Sequence, residues 1–212
     1  MDRSEIAGYR WTNAALNTSH DYLLPTLLRE LERLQTEVPV RGRRRIFELG
    51  CGNGSVANVL SQRGWEVTGV DPSREGIAQA NTQYPHLKLH EGSAYEDLSS
   101  RYVCLLMITS LEVVEHVYAP RQYAATFFDI LELGGTAIIS TPYHGYWKNL
   151  AMALTGKLDA HFTALWDHGH IKFWSIWTLS ELLREAGFID IRFKRVGRIP
   201  VLAKRISGTE NA

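Results

Sequence analysis

Leu23, Leu24, Leu27, Leu28, Leu31 and Leu34 recur at helical spacing over residues 20–36 and form one broad apolar stripe. That pattern predicts an amphipathic helix. Further along, the period changes repeatedly. Short apolar runs of strand length at 46–49, 65–70, 87–91, 102–109 and 136–140 alternate with helical stretches at 55–63, 74–83, 119–131 and 179–186. Gly64, the pair Gly134-Gly135, and Gly187 mark three of the predicted helix ends, where a left-handed residue terminates the helix without a Cβ penalty. Residues 189–196 and 201–206, separated by Gly197 and Pro200, predict a closing antiparallel hairpin. Regular strand–helix alternation places the chain in the α/β class, with a mostly parallel sheet covered by helices on both faces. The hairpin brings the expected total to seven strands in a mixed sheet.

The 212 residues are 45% hydrophobic and 22% charged. This is ordinary globular composition and predicts one domain over 1–212, with an N-terminal helical segment at 1–40 and an insertion at 144–177. Lysine plus arginine number 23 and aspartate plus glutamate 23. Domains that grip phosphate backbones are usually strongly basic, so a nucleic acid is not the expected partner. Arg41, Arg43, Arg44 and Arg45 could attract a phosphate-bearing substrate, a membrane surface or RNA, yet in a neutral chain they read more simply as a solvated turn. The longest apolar run, near residues 103–114, is broken by Thr109, Ser110 and Glu112 and falls short of a membrane span. The first 20 residues lack the apolar stretch and small-residue cleavage site of a secretory signal, so a cytoplasmic protein is expected. Cys51 and Cys104 offer neither a disulfide framework nor metal-finger spacing.

Chemistry first becomes visible in Glu48-Leu49-Gly50-Cys51-Gly52-Asn53-Gly54, between the first predicted strand and its helix. Glycines there let the backbone turn tightly and approach a ligand, and the helix N-terminus beyond offers free N–H groups. Asp71 ends the second predicted strand, 21 residues after Gly50, where a carboxylate can accept hydrogen bonds from both hydroxyls of a ribose. The pair predicts a nucleoside cofactor. A dinucleotide site wants GxGxxG, whereas here the glycines run GxGxG and Ser55 stands at the third dinucleotide position.

The run ExGxGxG, then VTGVDPS, then Glu91-Gly92-Ser93-Ala94 after the third strand, resembles the class I S-adenosylmethionine-dependent methyltransferases. The resemblance spans roughly residues 45–206 and implies a Rossmann-like sheet completed by the C-terminal hairpin. It further implies that Gly50, Gly52 and Gly54, with Cys51 and Asn53 between them, wrap the methionine part of the cofactor while Glu48 orients the loop. Asp71, followed by Pro72 and Ser73, would hold the ribose. Gly92, Ser93 and Ala94 would lie against adenine, and Ser110 and Leu111 would close the pocket. Many relatives carry an aspartate where this chain has Ser93.

A second constellation lies in Ser110-Leu111-Glu112-Val113-Val114-Glu115-His116-Val117. If the stretch is helical, Glu112, Glu115 and His116 share one face through their i, i+3, i+4 spacing. Two carboxylates and an imidazole at the carboxyl end of the fourth strand suit a divalent cation such as Mg²⁺, Mn²⁺, Fe²⁺ or Zn²⁺. The segment is similar to that of the ubiquinone-biosynthesis O-methyltransferases. The same ExxEH pattern with a later histidine marks the metal site of small-RNA 2′-O-methyltransferases, and here that histidine would be His170 or His168. Many class I methyltransferases without metal carry an EH dipeptide at this place, so a purely structural role for the acid and histidine remains open. With or without metal, His116 or His144 could act as general base.

Residues 144–177 replace a short connection with more than 30 residues holding four of the six tryptophans and four of the eight histidines. The insertion reads as a lid on an aromatic or lipophilic pocket, or as a helical element that forms a homodimer or caps the sheet edge. Near the start, Tyr9-Arg10-Trp11-Thr12-Asn13 either packs on the domain or folds over a site. The expected function is methyl transfer to a small molecule, most simply to a hydroxyl. An RNA 2′-O-methyltransferase and a cofactor-binding module without turnover are the two other classes.

Overall fold

The structure is a computed structural model that describes residues 11, 13–37, 44–102, 105–162, 164–166 and 169–197. Helix α1 (His20–Glu37) precedes strand β1 (Arg45–Leu49), helix α2 (Ser55–Ser61), strand β2 (Glu66–Asp71), helix α3 (Arg74–Gln83) and strand β3 (Lys88–Glu91). Strand β4 (Leu105–Leu111), helix α4 (Pro120–Asp129) and strand β5 (Leu131–Ser140) follow, then helices α5 (Tyr146–Leu154), α6 (Leu158–Phe162) and α7 (Ile176–Glu185). The strands pair in the order β3-β2-β1-β4-β5, every pair parallel. Chain direction across the sheet reverses between β1 and β4, and in such folds ligands collect at the carboxyl ends of the strands on either side of that switch.

Alternation along β1 divides the core in two. Phe47 and Leu49 join the cluster under α4 and α7, with Tyr123, Phe127, Leu179 and Leu182. Ile46 joins the cluster under α1, α2 and α3, with Leu27, Leu31, Ala57, Leu60 and Ala80. Helices therefore cover both faces, as the alternation predicts. The apolar stripe of α1 is what it buries, through Leu24, Leu27 and Leu31.

The expected seven-stranded mixed sheet is corrected to five parallel strands among the described residues. Extended chain becomes a strand only when a neighbour takes up its N–H and C=O groups. Residues 191–197 belong to no ladder, and Asp190 breaks the run with a φ of 53°. The second half of the expected hairpin, 201–206, lies outside the described residues. A second correction concerns Gly134-Gly135. The α4 helix ends at Asp129, and these glycines fall inside β5, where Leu105 pairs with Leu131 but Met107 with Thr136. The extra β5 residues bulge there, and Gly134 takes the φ of 78° that the bulge requires. Helix α7 starts earlier than the predicted 179, because Ser175 and Thr178 cap it reciprocally.

No helix among the described residues is long and apolar enough to cross a membrane.

Candidate functional site

The glycine loop leaves β1 at its carboxyl end and is tied to β2 by its own backbone. The N–H groups of Gly50 and Cys51 both donate to the Val70 carbonyl, at 2.8 and 3.1 Å. Gly52 N–H donates to Asp71 Oδ2 at 2.9 Å, and Ser73 N–H donates to Asp71 Oδ1 at 2.8 Å. Gly50 and Gly52 stand at φ 83° and 52°, a region that disfavours any side chain. A Cβ on Gly50 would come within 2.3 Å of Val113, and one on Gly52 within 2.3 Å of the Trp11 indole. Both positions therefore need glycine twice over. Ser73 caps α3 by accepting the Gly76 N–H at 3.0 Å, and Pro72 is half-buried between it and Asp71.

Electrostatics in this loop are unusual. Burial pushes the Glu48 carboxyl up to about 8, with the neighbouring Asp71 charge adding to the effect. One Glu48 oxygen, Oε2, is buried without a hydrogen-bond partner. Burial also raises Asp71 to about 6, against the opposing hydrogen bonds from Ser73 and Gly52. The Cys51 thiol is buried and pushed well up, first by burial and then by the two acids. Asn53 is 1% exposed, and both its amide hydrogens are engaged by the carbonyls of Asn13 and Ala15.

Around this loop stand the other expected positions. Gly92 N–H donates to the Asp71 carbonyl at 3.1 Å, bringing the turn after β3 beside the end of β2. Ser93 Oγ accepts the Tyr95 N–H at 3.2 Å, and Ala94 packs on the α4/α7 core. Buried Ser110 donates to the Leu49 carbonyl at 2.8 Å, joining β4 to β1, and Leu111 packs toward α1–α3. All lie on the carboxyl edge of the sheet.

Beyond β4 the ExxEH stretch is a turn, not the helix on which a common face for Glu112, Glu115 and His116 depended. Glu112 adopts φ 55°, and its N–H donates to the Ser140 carbonyl while Ser140 Oγ donates to its carboxylate at 2.8 Å. Glu112 is thus turned to β5. The expected His170 does reach the turn. Ile171 and Lys172 N–H both donate to the Glu115 carbonyl at 2.9 Å, which lays the 169–172 segment along the turn. Ligand-type atoms of Glu115, His116 and His170 lie within 4.8 Å of one another. His168 lies outside the described residues.

Each of the three is held. Glu115 is 1% exposed, and its Oε2 accepts from Thr141 Oγ1 at 2.9 Å while Oε1 has no hydrogen-bond partner and faces His170 Nε2 at 3.9 Å. His116 Nδ1 meets the Gly169 carbonyl at 3.2 Å. A carbonyl can only accept, so Nδ1 carries the proton in this contact. Burial and the Glu112 charge raise Glu115 to about 8, while burial and His116 lower His170 to about 4. Glu115 thus resists ionising and His170 resists protonation, in both cases chiefly because burial opposes charge.

His144 belongs to a neighbouring nest, with its ring 5.2 Å from that of His161 and 4.9 Å from Phe173. It is buried, its backbone N–H donates to the Trp174 carbonyl at 2.8 Å, and burial followed by Lys148, His161 and His170 lowers the imidazole to about 4. The imidazole is therefore held in its neutral form, as that of His170 is. Sequence reasoning missed Thr141, Ser140 and the partners of Trp11. Thr141 carried one usable signal, its place directly after the fifth strand, whereas Gln79 on α3, which donates to the Trp11 carbonyl, carried none.

Residues 19–192 match the methyltransferase domain family. A ubiquinone biosynthesis O-methyltransferase of Ruegeria pomeroyi is 31% identical over 172 residues, covering 79% of this chain and 68% of that protein. One from Cereibacter sphaeroides is 29% identical over 85% of this chain and 74% of that protein. Among solved structures, a SAM-dependent methyltransferase from Archaeoglobus fulgidus superposes with a TM-score of 0.55 at 20% identity, covering 79% of this chain and 72% of the other. Phosphoethanolamine N-methyltransferase 2 of Haemonchus contortus, in complex with S-adenosyl-L-methionine, gives 0.57 at 18% identity over 84% and 40% of the two chains. The parallel sheet, the glycine loop bound to Asp71 and these matches make the chain a member of the methyltransferase domain family, an S-adenosylmethionine-dependent methyltransferase of Rossmann-like fold.

Proposed function

We propose that the chain methylates a hydroxyl oxygen of a small aromatic, natural-product-like molecule. The observation that carries this reading is the Glu115, His116 and His170 triangle at the carboxyl edge of the sheet, one turn beyond β4. Relatives named as O-methyltransferases support oxygen as the acceptor atom.

The residues of the loop fit the cofactor. Each Asp71 oxygen accepts one backbone N–H and keeps a lone pair for a ribose hydroxyl, while the unpartnered Glu48 Oε2 gives the loop a buried acceptor of its own. Gly50, Cys51, Gly52 and Gly54 would line the methionine part through their backbone, Gly92, Ser93 and Ala94 the adenine, and Ser110 and Leu111 the floor. Asn53 would act through the loop's shape, because its amide is already engaged. When bound, S-adenosylmethionine supplies an electrophilic methyl group on a good leaving group. The chain's own work is then alignment of the acceptor and removal of its proton.

For that proton the chain has two bases to offer, His116, whose Nδ1 is engaged by the Gly169 carbonyl, and His144 in its nest. Glu115, His116 and His170 also fit a divalent cation, since each offers one ligand atom and the Gly169 carbonyl fixes the His116 tautomer. A cation there would lower the pKa of an acceptor hydroxyl. The 144–177 insertion serves as the acceptor's cover. Neither α5 nor α6 buries a residue, and Phe162 and Phe173 meet edge to face at 4.9 Å beside His144.

Incubation with S-adenosylmethionine and a panel of catechols, phenols, amines and short RNAs, with and without Mg²⁺, Mn²⁺ or Zn²⁺, tests the reading through S-adenosylhomocysteine release. Turnover with a phenolic hydroxyl supports it. Turnover confined to amines, or to RNA with steep salt dependence, would replace it, and cofactor binding without turnover on any acceptor would leave a binding module.

A further inference from the structure

Tyr95 stands directly beyond the turn assigned to adenine and reaches across the fold to the far end of the stretch that carries Glu115 and His116. Its hydroxyl accepts the Tyr118 N–H at 2.8 Å and the Ala119 N–H at 3.3 Å. Ala119, the N-cap of α4, makes no side-chain cap bond, and the phenol oxygen is an acceptor brought there from another part of the chain. Gln122, in the first turn of α4, completes the tie by donating Nε2 to the Tyr95 carbonyl at 3.1 Å. On the other side, Tyr95 N–H donates to Ser93 Oγ at 3.2 Å, and Glu96 N–H donates to the Ser93 carbonyl at 3.1 Å. A shift of Ser93 therefore carries the phenol with it. The opposite end of the Glu115 turn rests on the glycine loop, because a Cβ on Gly50 would fall within 2.3 Å of Val113. Glu115 and His116 thus lie between two contacts, each with an element assigned to the cofactor.

We propose that Tyr95 is a positioning residue that couples the two halves of the site. When the cofactor fills its cleft, the phenol holds the end of the turn, and with it Glu115, His116 and the 169–172 segment. The inference rests on the assignment of Gly92, Ser93 and Ala94 to adenine and of the turn to the acceptor. Its physical basis is how little backbone bonding the turn has of its own. The stretch is neither helix nor strand, Glu112 takes a φ of 55°, and His116 N–H to the Val113 carbonyl is its internal bond. Segments of this kind open locally while the domain stays folded. An outside contact worth one hydrogen bond is then enough to shift their population several-fold. Such coupling is reciprocal, so a fixed turn also favours a filled cofactor cleft. The acceptor meets an assembled site only after the cofactor has bound.

The test is amide hydrogen exchange on the full chain with and without saturating S-adenosylhomocysteine, comparing the parent with Tyr95→Phe and Gln122→Ala. Tyr95→Phe keeps the ring that packs on the α4/α7 core and removes the oxygen, and water can reach the two N–H groups it leaves. In the parent, the ligand should slow exchange at amides 118 and 119, and at amides 171 and 172 bound to the Glu115 carbonyl, by roughly fivefold. In Tyr95→Phe that slowing should be lost at 118 and 119 and weakened at 171 and 172, while affinity falls by no more than about fivefold, as reciprocity requires. A merely local role would move 118 and 119 alone. Parent-like slowing at 171 and 172 in Tyr95→Phe therefore overturns the proposal. Gln122→Ala leaves the hydroxyl in place and should keep the slowing; equal loss in both variants would assign the coupling to the docking of α4 and overturn the role of Tyr95. Amides 95 and 96 separate the failures. Exchange there that ignores the ligand removes the adenine assignment and the inference with it, whereas slowing there without slowing at 118, 119, 171 and 172 in the parent removes this inference alone. The acceptor reading fails separately, in the turnover panel, without altering these exchange rates.

Discussion

The Gly52 N–H donates to Asp71 Oδ2 across 2.9 Å, so one carboxylate both ends β2 and fixes the loop that leaves β1. The same carboxylate takes Ser73 N–H on its other oxygen, at the start of α3. Three elements therefore depend on one side chain.

Asp71→Ala should weaken S-adenosylhomocysteine binding by at least about tenfold, measured by calorimetric titration. Burial holds the Asp71 pKa at about 6, against the hydrogen bonds from Ser73 and Gly52. Protonation removes an acceptor, so parent affinity should fall as the pH is lowered through about 6, and Asp71→Asn should lose that dependence. A parent affinity flat between about pH 5 and pH 8 would mean that the ionised carboxylate is not what holds the ligand.

Glu48 makes a prediction about stability rather than binding. Its folded pKa, near 8, is above the ordinary value of 4.5, because burial and then Asp71 oppose its charge. The native state therefore keeps a proton that the unfolded chain releases. Its contribution to stability is whole below the unfolded value and is lost as the pH rises through about 8. Glu48→Gln should flatten that slope and, near pH 9, raise the unfolding free energy read from urea titration above the parent's by an amount on the order of a few kcal/mol. Equal pH slopes for the two proteins would show that Glu48 titrates as an ordinary carboxyl.

What was legible in the sequence followed from local physics. Glycines at 50, 52 and 54 followed by Asp71 revealed the loop, because the turn and the carboxylate are each needed within one strand–turn–helix unit. His170 could be named beside Glu115 only by resemblance, since the contact spans over fifty residues and is made by two backbone N–H groups on the Glu115 carbonyl. Glu112 misled for the opposite reason. Its spacing suited a helix, but Ser140 on the neighbouring strand captured both its N–H and its carboxylate. The hairpin failed similarly, because alternation over 189–196 states what a strand would bury and not whether a partner pairs with it.

Glu115→Gln is expected to leave S-adenosylhomocysteine binding within about threefold of the parent and to lower turnover by roughly a hundredfold. The cofactor loop is tied to Asp71, whereas Glu115 is tied to Thr141 and the 169–172 segment, so the two effects should separate. If a cation is held there, prolonged chelation should abolish turnover, Mn²⁺ or Zn²⁺ should return it, and His170→Ala should lower metal content together with activity. Full activity of the chelated parent, with elemental analysis finding no metal, would leave His116 and His144 as bases acting alone.

The insertion and the core should respond to truncation in opposite ways. Phe127 is fully buried and stacks on Tyr123 at 5.7 Å, so Phe127→Ala should cost about 3–5 kcal/mol in urea unfolding. Trp147 and Leu154 on α5 are 72% and 79% exposed. Truncating either removes little packing and should change stability by no more than about 0.5 kcal/mol. Exposed apolar side chains on a helix that buries none of its residues need another reason to be there. If the insertion covers an aromatic acceptor, Trp147→Ala and Leu154→Ala should raise KM for that acceptor several-fold, with KM for S-adenosylmethionine unchanged. A shift in the cofactor's KM instead would put α5 over the glycine loop. An unchanged KM for both, with a shift in oligomeric state, would identify α5 as a surface between copies of this chain.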